Sequence, residues 1–113
     1  MLTVEHVEFT IICHPETESI EGNVSASGDD KYDKKVEKDI YRQLEYNEWA
    51  WCCVEVVGEY QGLRVSEYLG GCSYPSKNDF IISEYYEDMK NNILELLKRK
   101  IKSIVESSVQ LDI

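Results

Sequence analysis

Residues 49–74, WAWCCVEVVGEYQGLRVSEYLGGCSY, constrain the fold more than any other part of the chain. They hold both tryptophans, three of the four cysteines and four of the six glycines. Alternating patterns over residues 49–59 and 63–69 are typical of strands with one buried face. Gln61-Gly62 between them predicts a hairpin turn, and Gly70-Gly71 predicts a bend or bulge. The segment therefore predicts an antiparallel β-hairpin.

The rest of the chain adds one strand and two helices. Residues 3–13, TVEHVEFTIIC, alternate as a half-buried strand, and residues 14–28 form a long polar loop. Residues 29–46 carry an apolar residue every fourth position, which predicts a helix with Ser27, Gly28 or Asp29 as its N-cap. Residues 83–109 predict a long C-terminal helix whose apolar end projects and could pair two copies of the chain.

These elements predict one α+β domain over residues 1–113. Its core is a three-stranded antiparallel sheet with helices packed on one face, in the order β-α-β-β-α. Ala50, Cys52, Val54 and Val56 share the more apolar strand face, which we expect to meet the helices.

Charge limits the possible functions. The chain has 22 acidic and 12 basic residues, a net charge of −10, and residues 1–60 carry 14 acids and 5 bases, a net −9. Such a field repels phosphate backbones, so we expect no direct binding of nucleic acid. It either keeps the protein soluble or engages a basic surface of another protein. The sequence shows no signal peptide and no membrane span, and its cysteines suit free thiols, so we expect a cytoplasmic protein.

The sequence offers little for catalysis or metal binding. His6 and His14 lie roughly 26 Å apart along a straight strand, too far to share one ion. No spaced pair of cysteines suggests zinc, so we expect neither a metal nor a cofactor. Cys72, beside the Gly70-Gly71 corner, is the best candidate for a reactive thiol, and a cysteine-dependent enzyme stays an alternative to a protein without enzymatic activity.

The candidate partner-binding residues are carboxylates of the first half together with the two tryptophans. Acids at a helix start also favour the helix dipole, and paired tryptophans are often buried, so structural roles remain open for both sets. Exposed tryptophans on one strand face would give a partner an apolar anchor. The full set is Asp29, Asp30, Asp33, Glu37, Glu45, Trp49, Trp51, Glu55 and Glu59.

Four segments, IEGNVSASGDD, WAWC, YLGGCSY and DF followed by YYEDM, resemble a group of small phage and plasmid proteins that has no assigned activity. The resemblance implies a gene of a mobile element, expressed inside a bacterial host. Small acidic phage proteins often inhibit host defence, including CRISPR and restriction systems, and some imitate the charge of DNA. We therefore expect an inhibitor that occupies the basic nucleic-acid site of a defence nuclease. A sponge for a nucleotide signal and an accessory phage protein without a defence role are the alternatives.

Overall fold

The computed structural model describes residues 1–111, and side chains as far as residue 108. Strands β1 (Glu8–Pro15), β2 (Cys52–Tyr60) and β3 (Leu63–Cys72) form one antiparallel sheet in the order β1-β2-β3. The helices are α1 (Asp30–Leu44), α2 (Lys77–Ile81) and α3 (Glu84–Leu111), and two short 3₁₀ turns cover Val4–His6 and Glu48–Ala50. The α+β class and the sheet are as predicted. The order gains one helix, α2, which lies immediately before the helix predicted over residues 83–109.

The β2–β3 hairpin forms as its sequence predicts. Gln61 and Gly62 both have positive φ, at 46° and 82°, which is the backbone of a type I′ turn and matches the twist of paired strands. At the other end, β3 places two residues, Gly70 and Gly71, opposite one residue of β2 between the Cys52–Cys72 and Val54–Leu69 pairs. Gly71 has φ +64°, so the predicted bulge is confirmed, and β3 continues through it to Cys72.

The main core lies between α3 and one face of the sheet. Cys52, Val54 and Val56 of β2 are fully buried there together with Ile93 and Leu97 of α3. Gly58 continues this face of β2, and a Cβ atom at that position would overlap the Ile93 side chain. The absence of a side chain at Gly58 therefore lets α3 approach the sheet closely.

Helix α1 does not share the face that α3 covers. Asp29 caps it by accepting hydrogen bonds from the backbone N–H groups of Lys31 and Tyr32, so the third of the three predicted caps is the one used. Its buried residue, Ile40, packs with Ile20 and Trp51 in a second, smaller core beside the turn Glu48–Ala50. The prediction that the helices share one sheet face therefore holds for α3 and is wrong for α1.

Helix α3 gives the molecule its elongated outline of 68 × 24 × 20 Å. Its 28 residues rise about 42 Å along the helix axis, which is longer than the sheet that it packs on. Its C-terminal part therefore projects, as predicted. None of the helices within residues 1–111 combines the length and the apolar composition needed to cross a lipid bilayer.

Candidate functional site

A cleft of about 420 Å³ opens where the end of β1, the loop that follows it and the end of α1 meet. Its apolar floor includes Trp51, Ile20 and Leu44. Four glutamates surround these apolar residues, and neither lysine nor arginine contributes to the lining. The complete lining is Cys13, His14, Pro15, Glu16, Glu18, Ser19, Ile20, Glu21, Tyr41, Leu44, Glu48 and Trp51.

The cleft exists because the loop folds back onto Trp51. The indole Nε1–H of Trp51 donates a hydrogen bond to the carbonyl of Glu18 at 2.9 Å. Ile20 from the loop and Ile40 from α1 bury their side chains against the same indole. The Tyr41 hydroxyl also donates to the Glu21 carboxylate at 2.6 Å. Trp51 thus fixes both walls of the cleft relative to the sheet.

Hydrogen bonds keep two of the cleft glutamates ionised. Glu16 accepts hydrogen bonds from the backbone N–H groups of Gly71, Glu18 and Thr17, and these lower its pKa. The bond from Gly71 joins the end of β1 to the bulge of β3. Glu21 has a lowered pKa because the hydroxyls of Ser19 and Tyr41 donate to it. The cleft therefore carries a concentrated negative charge at neutral pH.

A polar cluster on the uncovered face of the sheet adjoins the cleft. His14 Nε2 lies 2.8 Å from one oxygen of Glu55, and the Tyr68 hydroxyl donates to the other at 3.0 Å. The pKa of Glu55 is lowered, chiefly by the hydrogen bond from His14 and then by one from Ser66. Because Glu55 is buried and has these partners, its carboxylate stabilises the sheet face rather than offering a free charge.

Three of the predicted partner-binding acids accept hydrogen bonds from the start of α1 or from the loop before it. Asp29 is the N-cap of α1. Asp33 accepts hydrogen bonds from the hydroxyls of Ser25 and Ser27, and its pKa is lowered for that reason. Glu37 accepts from the backbone N–H of Gly22 at 3.3 Å. The structural alternative, in which these acids stabilise the helix start and the loop, describes them better than a docking face does.

The outward side of α1 is basic, not acidic. Its five cations fall within an arc of about 100° at 3.6 residues per turn, opposite the buried Ile40. All five are exposed, and Arg42 pairs with Asp39 at 3.6 Å. The cations are Lys31, Lys34, Lys35, Lys38 and Arg42. The negative charge of the first half therefore does not occupy one face of α1, and Asp30, exposed at the helix start, borders this cationic strip.

The tryptophans are not surface anchors. Trp49 is 7% exposed and Trp51 is 5% exposed. They do not share a strand face either, because Trp49 lies in the 3₁₀ turn Glu48–Ala50, and β2 begins only at Cys52. Trp49 stacks on Phe80 in the main core, with ring centroids 5.9 Å apart, whereas Trp51 belongs to the second core.

The two remaining predicted carboxylates lie apart from the cleft lining. Glu45 is exposed immediately after α1, and Glu59 pairs with Arg64 across the hairpin at 3.2 Å. None of the four cleft glutamates was among the residues predicted from the sequence; they are Glu16, Glu18, Glu21 and Glu48. A usable signal was present, because residues 14–28 contain three glutamates and neither lysine nor arginine.

The cysteines show no sign of activation. Cys72 is buried, its thiol contacts the Leu69 carbonyl, and burial raises its pKa to about 11. Burial also raises the pKa of Cys13, Cys52 and Cys53. A thiol with a raised pKa is a poor nucleophile at neutral pH. Within residues 1–111, no three side chains of the His, Cys, Asp or Glu types form a group that could hold a metal ion.

Comparison with protein-family models, with curated proteins and with solved structures gives no match. Function is therefore inferred from the geometry and charge of the cleft.

Proposed function

We propose that this chain is a non-enzymatic binding protein that receives a cationic surface of another protein in its acidic cleft. One observation carries the proposal: four glutamates line a single cleft to which neither lysine nor arginine contributes. Carboxylates at this density repel one another, and a bound cation relieves that repulsion. The cleft thus favours a positively charged ligand.

The shape of the cleft suits the side chain of lysine or arginine. Such a side chain combines an apolar stem with a charged end. The stem would pack on Trp51 and Leu44, while the charged end would pair with Glu18, Glu21 or Glu48 at the rim. Arginine gains most from this arrangement, because its guanidinium can bind a carboxylate through two hydrogen bonds.

The charge of the whole chain supports the same kind of partner. A net charge of −10 attracts a basic surface and speeds the encounter with it, especially at low salt. The cationic strip on α1 would be repelled by that surface, so we expect it to face away from the partner. A nucleotide signal is anionic, so the acidic cleft would repel it, and both tryptophans are buried and cannot stack on a base, which disfavours the sponge alternative at this site.

The class of partner follows from the resemblance to small phage and plasmid proteins. A protein of a mobile element in the bacterial cytoplasm would benefit from inhibiting a defence nuclease of the CRISPR or restriction type. The basic surface that it binds would then be the nucleic-acid groove of that nuclease. An accessory protein without a defence role would use the same cleft on another basic host protein.

Binding to immobilised defence nucleases tests the proposal. Wild-type protein should bind one of them, prevent DNA cleavage at an equimolar ratio, and lose affinity as salt is raised. The triple variant Glu18→Gln, Glu21→Gln, Glu48→Gln should bind at least about tenfold more weakly, because it removes three charges from one cleft.

A charge-matched control separates the cleft from the net charge. Glu84→Gln, Asp88→Asn, Glu106→Gln also removes three charges, all from exposed residues of α3 that do not line the cleft. This control should bind nearly as well as wild type. Equal weakening by both triple variants would show that overall charge, and not the cleft, binds the partner. Binding that is insensitive to salt would contradict an electrostatic mode altogether.

A further inference from the structure

The cationic strip of α1 is a second charged surface, which the proposed binding of a cationic partner does not use. An open groove of about 450 Å³ runs along the strip and shares no lining residue with the acidic cleft. Among the side chains that the structure describes, Arg42 pairs with Asp39, and the four lysines of the strip form no ion pair. The groove is lined by Lys31, Lys34, Lys35, Lys38, Asp39 and Arg42.

The stability of α1 does not explain the strip. Its cations lie three or four residues apart along the helix, and like charges at this spacing are neighbours that destabilise a helix. Lys31 also lies in the first turn of α1, where the helix dipole disfavours a positive charge. A bound anion would relieve both effects, so the strip favours an anionic ligand.

The density of charge along the strip matches that of one strand of duplex DNA. From Lys31 to Arg42 the helix rises about 16 Å, at 1.5 Å per residue. One strand of a DNA duplex carries roughly five phosphates over the same length, at 3.4 Å per phosphate. The strip therefore presents five cations to about as many phosphates.

The acids of α1 that hold the loop do not lie between the strip and a ligand. Asp33 and Glu37 accept hydrogen bonds from Ser25, Ser27 and Gly22 of the loop, on the inner side of the helix. A helix with its side chains is about 10–12 Å wide, and the Debye length at about 0.1 M salt is about 10 Å. A ligand on the strip is thus affected more by the cations than by the acids behind them. The net charge of the whole chain, which predicts no binding of nucleic acid, does not describe this face.

We propose that the cationic strip binds the phosphate backbone of duplex DNA without reading its sequence. The lysine ammonium groups would pair with phosphates as point charges, and such contacts carry no sequence information. A lipid bilayer fits the strip less well, because helices that bind membranes insert apolar side chains, and none of the residues that line this groove is apolar.

Fluorescence anisotropy with a labelled duplex of about 20 base pairs tests the proposal. At about 0.1 M salt, wild-type protein should bind with a dissociation constant of about 10–100 µM. With four unpaired lysines in contact with phosphates, the logarithm of the association constant should fall with that of the salt concentration with a slope of about −3.6. The triple variant Lys31→Gln, Lys35→Gln, Lys38→Gln should bind at least about tenfold more weakly and bring the slope to about −1.

Two matched variants locate the contact. Lys77→Gln, Arg99→Gln, Lys102→Gln removes three exposed cations outside the strip and should bind DNA with nearly the affinity and slope of wild type. Glu18→Gln, Glu21→Gln, Glu48→Gln should bind DNA at least as tightly as wild type, so the strip can be tested whether or not the cleft binds a cationic partner. Circular dichroism and thermal melting should show that all three triple variants remain folded.

Four results would overturn the proposal. They are no binding of the duplex by about 100 µM protein at about 0.1 M salt, equal weakening by the strip variant and the variant of Lys77, Arg99 and Lys102, weaker binding by the cleft variant, and binding to phosphatidylserine vesicles in place of DNA.

Discussion

Replacing Trp51 with alanine should open the cleft without unfolding the sheet. The second core has three buried residues, Ile20, Ile40 and Trp51. Burial of an apolar side chain contributes about 1.5–3 kcal/mol, so this core stabilises the packing of the loop and α1 by roughly 5–9 kcal/mol at most. A buried tryptophan replaced by alanine typically costs about 3–5 kcal/mol. Trp51→Ala also leaves the Glu18 carbonyl without its donor, so most of the attachment would be lost.

Hydrogen exchange measured by mass spectrometry detects such local opening. In Trp51→Ala, amides of residues 16–44 should exchange much faster than in wild type, whereas amides of β2 and of α3 near Ile93 should stay protected. Trp49→Ala is the contrasting variant, because Trp49 packs in the main core against Phe80. That variant should lower protection across the sheet and the thermal midpoint of the whole domain.

Two results would refute the two-core description of this fold. One is unchanged exchange of residues 16–44 in Trp51→Ala. The other is an equal loss of protection in the loop and in the sheet, since that would mean the two cores unfold as one unit.

Three further substitutions or measurements test other parts of the structure. Gly58→Ala should destabilise the domain by about 1–3 kcal/mol in urea titrations, because the new methyl group overlaps Ile93; an unchanged midpoint would contradict the close approach of α3. Glu16→Gln should lower stability at pH 7. The lowered pKa of Glu16 means that its stabilising contribution is complete above its unfolded pKa of about 4.3. This contribution is lost as the pH falls through the pKa that Glu16 has in the folded protein. The free energies of unfolding of wild type and variant should therefore become equal in acid. A difference between them that does not change with pH would refute this prediction. Cys72 should react with a thiol reagent only in denaturant, given its raised pKa and its burial; fast labelling of the folded protein would revive the cysteine-enzyme alternative.

The hairpin was predictable because its signals are local. Alternation over β2 and β3, the Gln61-Gly62 turn and the Gly70-Gly71 bulge each depend on neighbouring residues. The start of β2 was not predictable from neighbouring residues, because the turn Glu48–Ala50 depends on a contact between distant segments. The Asn47 side chain accepts a hydrogen bond from Trp49 N–H and donates one to the Tyr74 carbonyl, 27 residues away. That contact turns Trp49 into the main core.

The acidic cleft could be predicted only in part. The run of glutamates without lysine or arginine in residues 14–28 is visible in the sequence. The packing of this run against Trp51 is not visible in the sequence, because the hydrogen bond between the indole and the Glu18 carbonyl joins residues 33 positions apart. The helical spacing of the lysines and Arg42 was enough to predict the basic face of α1. The net charge of residues 1–60 could not predict it, because a sum does not say which side of a helix each charge occupies.

Titration of the isotope-labelled protein with a short poly-arginine peptide, followed by NMR, tests most directly whether the cleft is the cation-binding site. Binding there should saturate and should shift the backbone amides of residues 16–21, the Glu48 amide and the Trp51 indole N–H most strongly. Signals from the outward face of α1 should stay in place. Shifts spread over all exposed acidic residues without saturation, or centred outside the cleft, would contradict the proposed site.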